Sequence, residues 1–299
     1  MDLPRLFEKM SIVRSTVSKT EASNDTTLPI GIFDSGAGGL SIFQAIRKTL
    51  PREDVIYLAD SANAPYGDRS THYVLQCSSD STKYLLNAGV KLIVVACNTA
   101  TSVAIESIRT WCPVPVVAVE PAIKPALAMT KSGVVGVLGT TRTIYGDNTK
   151  ALCARYGTGK TIKLQPCPGL VDQIESGNIQ SDTTYDLLVD YTKPLLDAGA
   201  DVLALGCTHY SFLNSMLSAI VGDKIQIVDT APAIAREVGH RLEMENLATR
   251  TTRHASSRFL CSGSSDRAAV VFSNLLGSSV TVEAVGIAQD QSIEIPDNG

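Results

Sequence analysis

Residues 91–108 read KLIVVACNTATSVAIESI. Five apolar residues, Leu92 to Ala96, run straight into Cys97-Asn98-Thr99, and a helical pattern of small residues follows from Thr101. A short continuous apolar run reads as a buried strand, and the polar triplet marks its carboxyl end. A helix start carries unpaired N–H groups and partial positive charge, both of which favour a thiolate. The stretch therefore predicts a strand, a turn holding a thiol, and a helix, with Cys97 placed for chemistry.

The same pattern returns further along. ADVLALGCTHYSFLNSML (200–217) puts Cys207-Thr208-His209 where Cys97-Asn98-Thr99 stood. VVGVLGTTRTI (134–144) resembles IGIFDSGAGG (30–39), each a strand followed by a turn of small residues. IQIVDTAPAI (225–234) echoes VPVVAVEPAI (114–123). The separations agree: 105 residues from Gly31 to Gly136, 110 from Cys97 to Cys207, and 111 from Pro121 to Pro232. That period is too long for a solenoid and reads as an internal duplication. Short apolar runs alternating with helical stretches point to parallel strands joined by crossovers.

The predicted fold is α/β: two pseudo-symmetric domains with parallel sheets flanked by helices, and an active site in the cleft between them. The first domain takes residues 29–120 and 232–288, and the second takes 121–231. Residues 1–28 read as an extension, an amphipathic helix with Leu3, Leu6, Phe7, Met10, Val13 and Val17 on one face followed by a polar linker. The acidic tail 289–299 reads as disordered.

At 299 residues with 44% hydrophobic content, the chain can fill two cores. Lys+Arg number 26 against 30 Asp+Glu, a net charge of −4, which gives no reason to expect nucleic acid. No apolar run reaches the roughly 18 residues of a membrane span. The opening MDLPRLFEKM lacks the apolar core of a secretory signal. Seven cysteines, an odd number without paired spacing, fit free thiols in a reducing compartment, so the expectation is a cytoplasmic protein. Cys-x-His at 207–209 supplies at most two metal ligands and no second cluster accompanies it, so no metal is expected.

Ligands of parallel α/β sheets bind beyond the carboxyl ends of the strands. Asp34-Ser35, Cys97-Asn98-Thr99, Thr140-Thr141 and Cys207-Thr208-His209 all stand at such ends. Duplication makes the two cysteines equivalent and brings them to one cleft from opposite sides. Two opposed acid/base groups suit the inversion of a stereocentre, in which one takes the Cα proton and the other returns one on the opposite face. Thiols serve because their ordinary pKa is about 8.5 and helix amides or neighbours are expected to lower it. Asp34 and His209 are candidates to relay protons beside Cys97 and Cys207. Ser35, Asn98, Thr99, Thr140, Thr143 and Thr208 offer neutral donors for a carboxylate. Cys77, Cys112, Cys153, Cys167 and Cys261 read as small buried hydrophobes. An imperfect GxGxxG at Gly36 and Gly38, with Asp60 24 residues on, permits a dinucleotide reading. Asp34 beside the expected pyrophosphate and the missing last glycine speak against it.

FDSGAGGLS (33–41), NAPYG (63–67), VVACNTA (94–100), VEPAIKPA (119–126) and LGCTHY (205–210) together resemble the glutamate racemases, over residues 30 to about 275. The resemblance implies a cofactor-independent isomerase making D-glutamate for bacterial peptidoglycan. It implies that Cys97 acts on the D-enantiomer and Cys207 on the L-enantiomer. Substrate contacts are implied for Asp34, Ser35, Tyr66, Gly67, Asn98, Thr99, Thr140, Thr143, Thr208 and His209. Glu175, in CPGLVDQIE (167–175), aligns with a glutamate that assists the second cysteine, although Asp172 and Gln173 depart from the usual Pro and apolar residue. A homodimer is expected; members with N-terminal extensions resemble forms activated by a cell-wall precursor, a candidate partner for residues 1–28 that the sequence alone does not carry over. The alternatives are an aspartate racemase, against which His209 speaks, and a non-catalytic amino-acid-binding or gyrase-regulating protein.

Overall fold

A computed structural model describes residues 25–287. The amphipathic helix expected within 1–28 lies, up to residue 24, outside the described residues, and so does the tail 289–299.

The first unit alternates β1 (Ile30–Asp34), α1 (Leu40–Thr49), β2 (Val55–Ala59), α2 (Thr71–Asn87), β3 (Leu92–Val95), α3 (Asn98–Trp111) and β4 (Val116–Ala118). The second follows with α4 (Ile123–Met129), β5 (Val134–Gly139), α5 (Thr141–Tyr145), α6 (Asp147–Tyr156), β6 (Thr161–Pro166), α7 (Leu170–Glu175), α8 (Asp182–Asp197), β7 (Val202–Gly206), a short 3-10 helix (Thr208–Leu213), α9 (Asn214–Val221) and β8 (Gln226–Val228). The chain then returns through α10 (Ala231–Met244), β9 (Ser257–Cys261), α11 (Ser265–Leu276) and β10 (Val282–Ala284).

Two all-parallel sheets result, ordered β10-β9-β2-β1-β3-β4 and β6-β5-β7-β8. Four strands of the first repeat in the second in the same spatial order, so β3 and β7 occupy matching places. Both are apolar throughout and buried throughout, as strands covered by helices on both faces must be. The helices feeding them end alike. Gly89 after α2 and Gly199 after α8 take φ of +77° and +85°, a region that penalises any side chain but is open to glycine. The helix that closes the opening stretch starts at Asn98, three residues earlier than its apolar pattern suggests, because Cys97 itself caps it.

The C-terminal return completes the first core. Phe43, Tyr57, Phe259 and Phe272 form a ring cluster with centroids 5.0–6.3 Å apart. Tyr57 reaches through it to donate its hydroxyl to the Gly36 carbonyl at 2.6 Å, which ties the core to the turn after β1. At the opposite end of the sheet, Lys91 and Glu53 form a buried ion pair at 2.6 Å. Lys91 also donates to Thr26 O, and Glu53 accepts from Thr249 N, both at 2.7 Å.

Removing one member of a buried pair strands the other charge. Lys91→Ala is expected to cost about 3–5 kcal/mol, read from urea unfolding, and Lys91→Met with Glu53→Gln to cost less. Equal losses in the two variants would contradict the ion-pair account.

Candidate active site

The carboxyl ends of β1, β3, β5 and β7 face one another across a cleft of about 510 Å³, its open mouth included. Cys97 and Cys207 both line it, one from each sheet, at 6% and 7% exposure. Ser35, Tyr66, Gly67, Asn98, Thr99, Thr140, Thr208 and His209 share the wall. Asp34 and Thr143, expected to touch substrate, are fully buried behind it, and Glu175 lies behind His209.

Each thiol has its own chain of partners leading to a carboxylate. Cys97 Sγ is 3.6 Å from Ser35 Oγ, and Ser35 donates to Asp34 Oδ1 at 3.3 Å. Cys207 Sγ is 3.8 Å from His209 Nδ1, and His209 Nε2 is 2.6 Å from Glu175 Oε1. Both carboxylates are also held from the opposite sheet. Thr208 Oγ1 donates to Asp34 Oδ2 at 2.9 Å, and Ala37 N donates to Glu175 Oε1 at 2.7 Å.

The two thiols are not equivalent, contrary to the symmetry of the repeat. Cys97 accepts the Ala100 amide at 3.4 Å at the start of a true α-helix. Cys207 precedes a 3-10 turn and receives no such amide; its neighbour is an imidazole. The expected lowering of the Cys97 pKa is also reversed. Burial and the charge of Asp34 outweigh the Ala100 amide and Ser35, and the thiol is pushed up to about 12. Burial likewise raises Asp34, although His209, the Gly36 amide and Thr208 pull the other way. Burial acts to lower His209, but its hydrogen bonds to Cys207 and Glu175 and the charge of Glu175 prevail, holding it well above 6.5. Glu175 is the complement: burial raises it, His209 and the Ala37 amide lower it more, and the carboxyl stays below 4.5.

Gly36 and Gly38 serve the meeting of the two sheets. A Cβ on Gly36 would stand 2.0 Å from Glu175 Oε1, and one on Gly38 would stand 2.3 Å from His209 Nδ1. Their lack of a side chain gives the second thiol's partners room, a sufficient reason for a glycine pair without any dinucleotide. Across the floor, Thr99, Thr140 and Thr143 hydroxyls lie 2.9–3.3 Å apart and bridge the sheets. The Asn98 side-chain amide is buried with neither its nitrogen nor its oxygen bonded, though it borders the cleft. A buried amide with no partner is costly, and a ligand with both a donor and an acceptor would satisfy it.

Cys167, read from sequence as packing, lines the cleft too. Its thiol donates to Gln165 O at 3.4 Å and burial raises its pKa, so it stands as a neutral wall. Its place directly after β6 was the available signal. Asp172 also lines the cleft, and no local pattern announced it.

Facing thiols, each backed by a relay and a carboxylate, are equipped to exchange protons with both faces of one carbon. The chain belongs to the Asp/Glu/Hydantoin racemase family, whose model matches residues 30–238, and it is therefore an isomerase. Its relatives narrow the group. The glutamate racemase of Herpetosiphon aurantiacus is 47% identical over 235 residues, 79% of this chain and 92% of that one. A solved glutamate racemase isoform from Bacillus anthracis superposes with a TM-score of 0.81 at 28% identity, covering 88% of this chain and 98% of the other. The Escherichia coli glutamate racemase, solved with L-glutamate and the activator UDP-MurNAc-Ala, gives 0.77 at 30% identity, with 87% and 99% covered.

Two outcomes test this geometry. Gly38→Ala is expected to lower kcat/KM about 10²-fold by displacing His209, since a misplacement of about 1 Å costs that much. Wild-type turnover in this variant would show that the ring tolerates the clash. The His209–Glu175 pair also has a pH signature. A raised His209 contributes stability fully below pH 6.5 and loses it as pH rises through the folded value. A depressed Glu175 contributes above pH 4.5 and loses it as pH falls through its folded value. The stability gap between wild type and His209→Asn, from urea unfolding, is therefore expected to peak between those two values and shrink in alkali.

Proposed function

We propose that this chain interconverts L- and D-glutamate by proton exchange between Cys97 and Cys207, supplying D-glutamate for peptidoglycan in a bacterial cytoplasm. The observation that carries this reading is the pair of thiols lining one cleft from matching strands of two sheets. From L-glutamate, Cys207 as thiolate takes the Cα proton and becomes a thiol beside the His209–Glu175 pair, while the Cys97 thiol delivers its proton to the other face and is left as thiolate. From D-glutamate the roles reverse, with Ser35 and Asp34 behind Cys97. Asn98, Thr99, Thr140 and Thr208 meet the carboxylates and the ammonium group with neutral polar atoms. The substrate ammonium, brought close to Cys97, adds a positive charge on the side away from His209, and an opposite charge within about 4–6 Å favours the ionised thiol. Among the described residues no helix is long and apolar enough to cross a membrane.

The regulatory part of the reading concerns the extension. A cell-wall precursor acting through residues 1–28, and a dimeric assembly, extend the proposal. The Escherichia coli structure with its activator is the motive for the first.

Purified protein without added cofactor is expected to racemise glutamate well and aspartate poorly. Cys97→Ala and Cys207→Ala should each lower turnover by about 10²–10⁴-fold, the usual worth of a positioned acid or base. In D₂O each enantiomer should gain deuterium at Cα chiefly as it inverts. Exchange with retention would mean a single base and defeat the two-thiol scheme, and a preference for aspartate would reassign the substrate.

A further inference from the structure

Asp60 is a buried carboxylate with no part in the proton exchange. It follows β2 and is 1% exposed. Its Oδ2 accepts the Tyr66 hydroxyl at 2.5 Å, its Oδ1 accepts the Ser262 hydroxyl at 2.6 Å, and Asn63 Nδ2 donates to both at 3.0–3.1 Å. Asn63 Oδ1 in turn accepts the Tyr73 hydroxyl at 2.5 Å. Every one of these donors is neutral.

The Ser262 side arrives from far along the chain. This residue follows β9, in a segment beyond residues 30–238 that the family pattern covers. Ser262 Oγ also accepts Ala62 N at 3.0 Å, and Gly263 N donates to Ser61 Oγ at 3.2 Å. A Cβ on Gly263 would lie 2.9 Å from Ser61 Oγ, so the two segments are in close contact. Loop 61–67 is thereby stitched to the end of β9 as well as to β2.

That loop is a septum. On one side Pro65, Tyr66 and Gly67 face the catalytic cleft. On the other, Ser61, Ala64 and Pro65 border a second cavity of about 890 Å³ shared with Arg267 and Phe272 of α11. Tyr66 is 1% exposed and packed among core side chains, and its hydrogen bond to Asp60 anchors the far end of its ring, while the Ala64–Pro65 side of the loop borders open space.

We propose that Asp60 and Ser262 are positioning residues, through which the C-terminal segment 257–276 sets the place of Tyr66 and Gly67 and hence the affinity of the cleft for its amino-acid substrate. The proposal rests on the racemase reading of that cleft. Ser262→Ala removes the hydroxyl shared by Asp60 and Ala62 while leaving the buried carboxylate its other donors. It is expected to raise KM for both enantiomers about five- to tenfold, the worth of one or two hydrogen bonds, with kcat within about twofold. Ser262→Thr, which keeps the hydroxyl, is expected to restore KM, a rescue that mere loss of fold would not give. Asp60→Asn should raise KM further. Unchanged KM in Ser262→Ala, or a fall in kcat alone, overturns the assignment. Calorimetric titration of glutamate into wild type and Ser262→Ala separates the two readings. A wild type that binds without turning over sinks the racemase mechanism, whereas equal affinity in both proteins sinks the positioning role.

Discussion

Two carboxylates, Asp34 fully buried and Glu175 half-buried, each accept a hydrogen bond from the opposite sheet and hold this site together. Asp34 takes the Thr208 hydroxyl and Glu175 takes the Ala37 amide. Taking a carboxylate out of water carries a heavy desolvation cost, and the donor from the opposite unit adds to those each acid has in its own, Ser35 and the Gly36 amide for Asp34 and His209 for Glu175. The same contacts bring the two thiols to one cleft. Closure of the sheets on each other and assembly of the proton-handling groups are therefore a single event.

The balance of forces around the thiols follows from that closure. Excluding water raises Cys97 and Asp34 and would lower His209, and only the imidazole has a partner strong enough to reverse the trend. One side of the cleft thus holds an imidazolium–carboxylate pair, and the other holds a neutral thiol beside a reluctant acid. Tyr57 transmits the rigidity of the aromatic core to this arrangement through the Gly36 carbonyl.

Much of this was legible in the sequence, because parallel strands buried on both faces must be written as continuous apolar runs. The runs at 92–96 and 202–206, each ending in a cysteine and two polar residues, marked both sheets and both thiols. What local pattern does not encode is how one sheet meets the other. The Glu175–Ala37 contact joins residues 138 positions apart, and the crowding at Gly36 and Gly38 exists only once α7 and the 3-10 turn are in place. Asp172 and Cys167 reached the cleft wall for the same reason. The helix start beside Cys97 is visible in sequence and predicts a lowered pKa, whereas the complete burial beside Asp34 that raises it is not.

The unequal surroundings of Cys97 and Cys207 bear on why the two halves share one chain. Two identical half-length subunits related by a two-fold axis are obliged to give both thiols the same neighbours. Joined end to end, the halves are released from that obligation. His209 then occupies the place that Thr99 holds in the other copy, and the glycines at 36 and 38 make space for it on one side alone. Covalent linkage is thus what lets a symmetric scaffold recognise a handed carbon with two differently tuned faces.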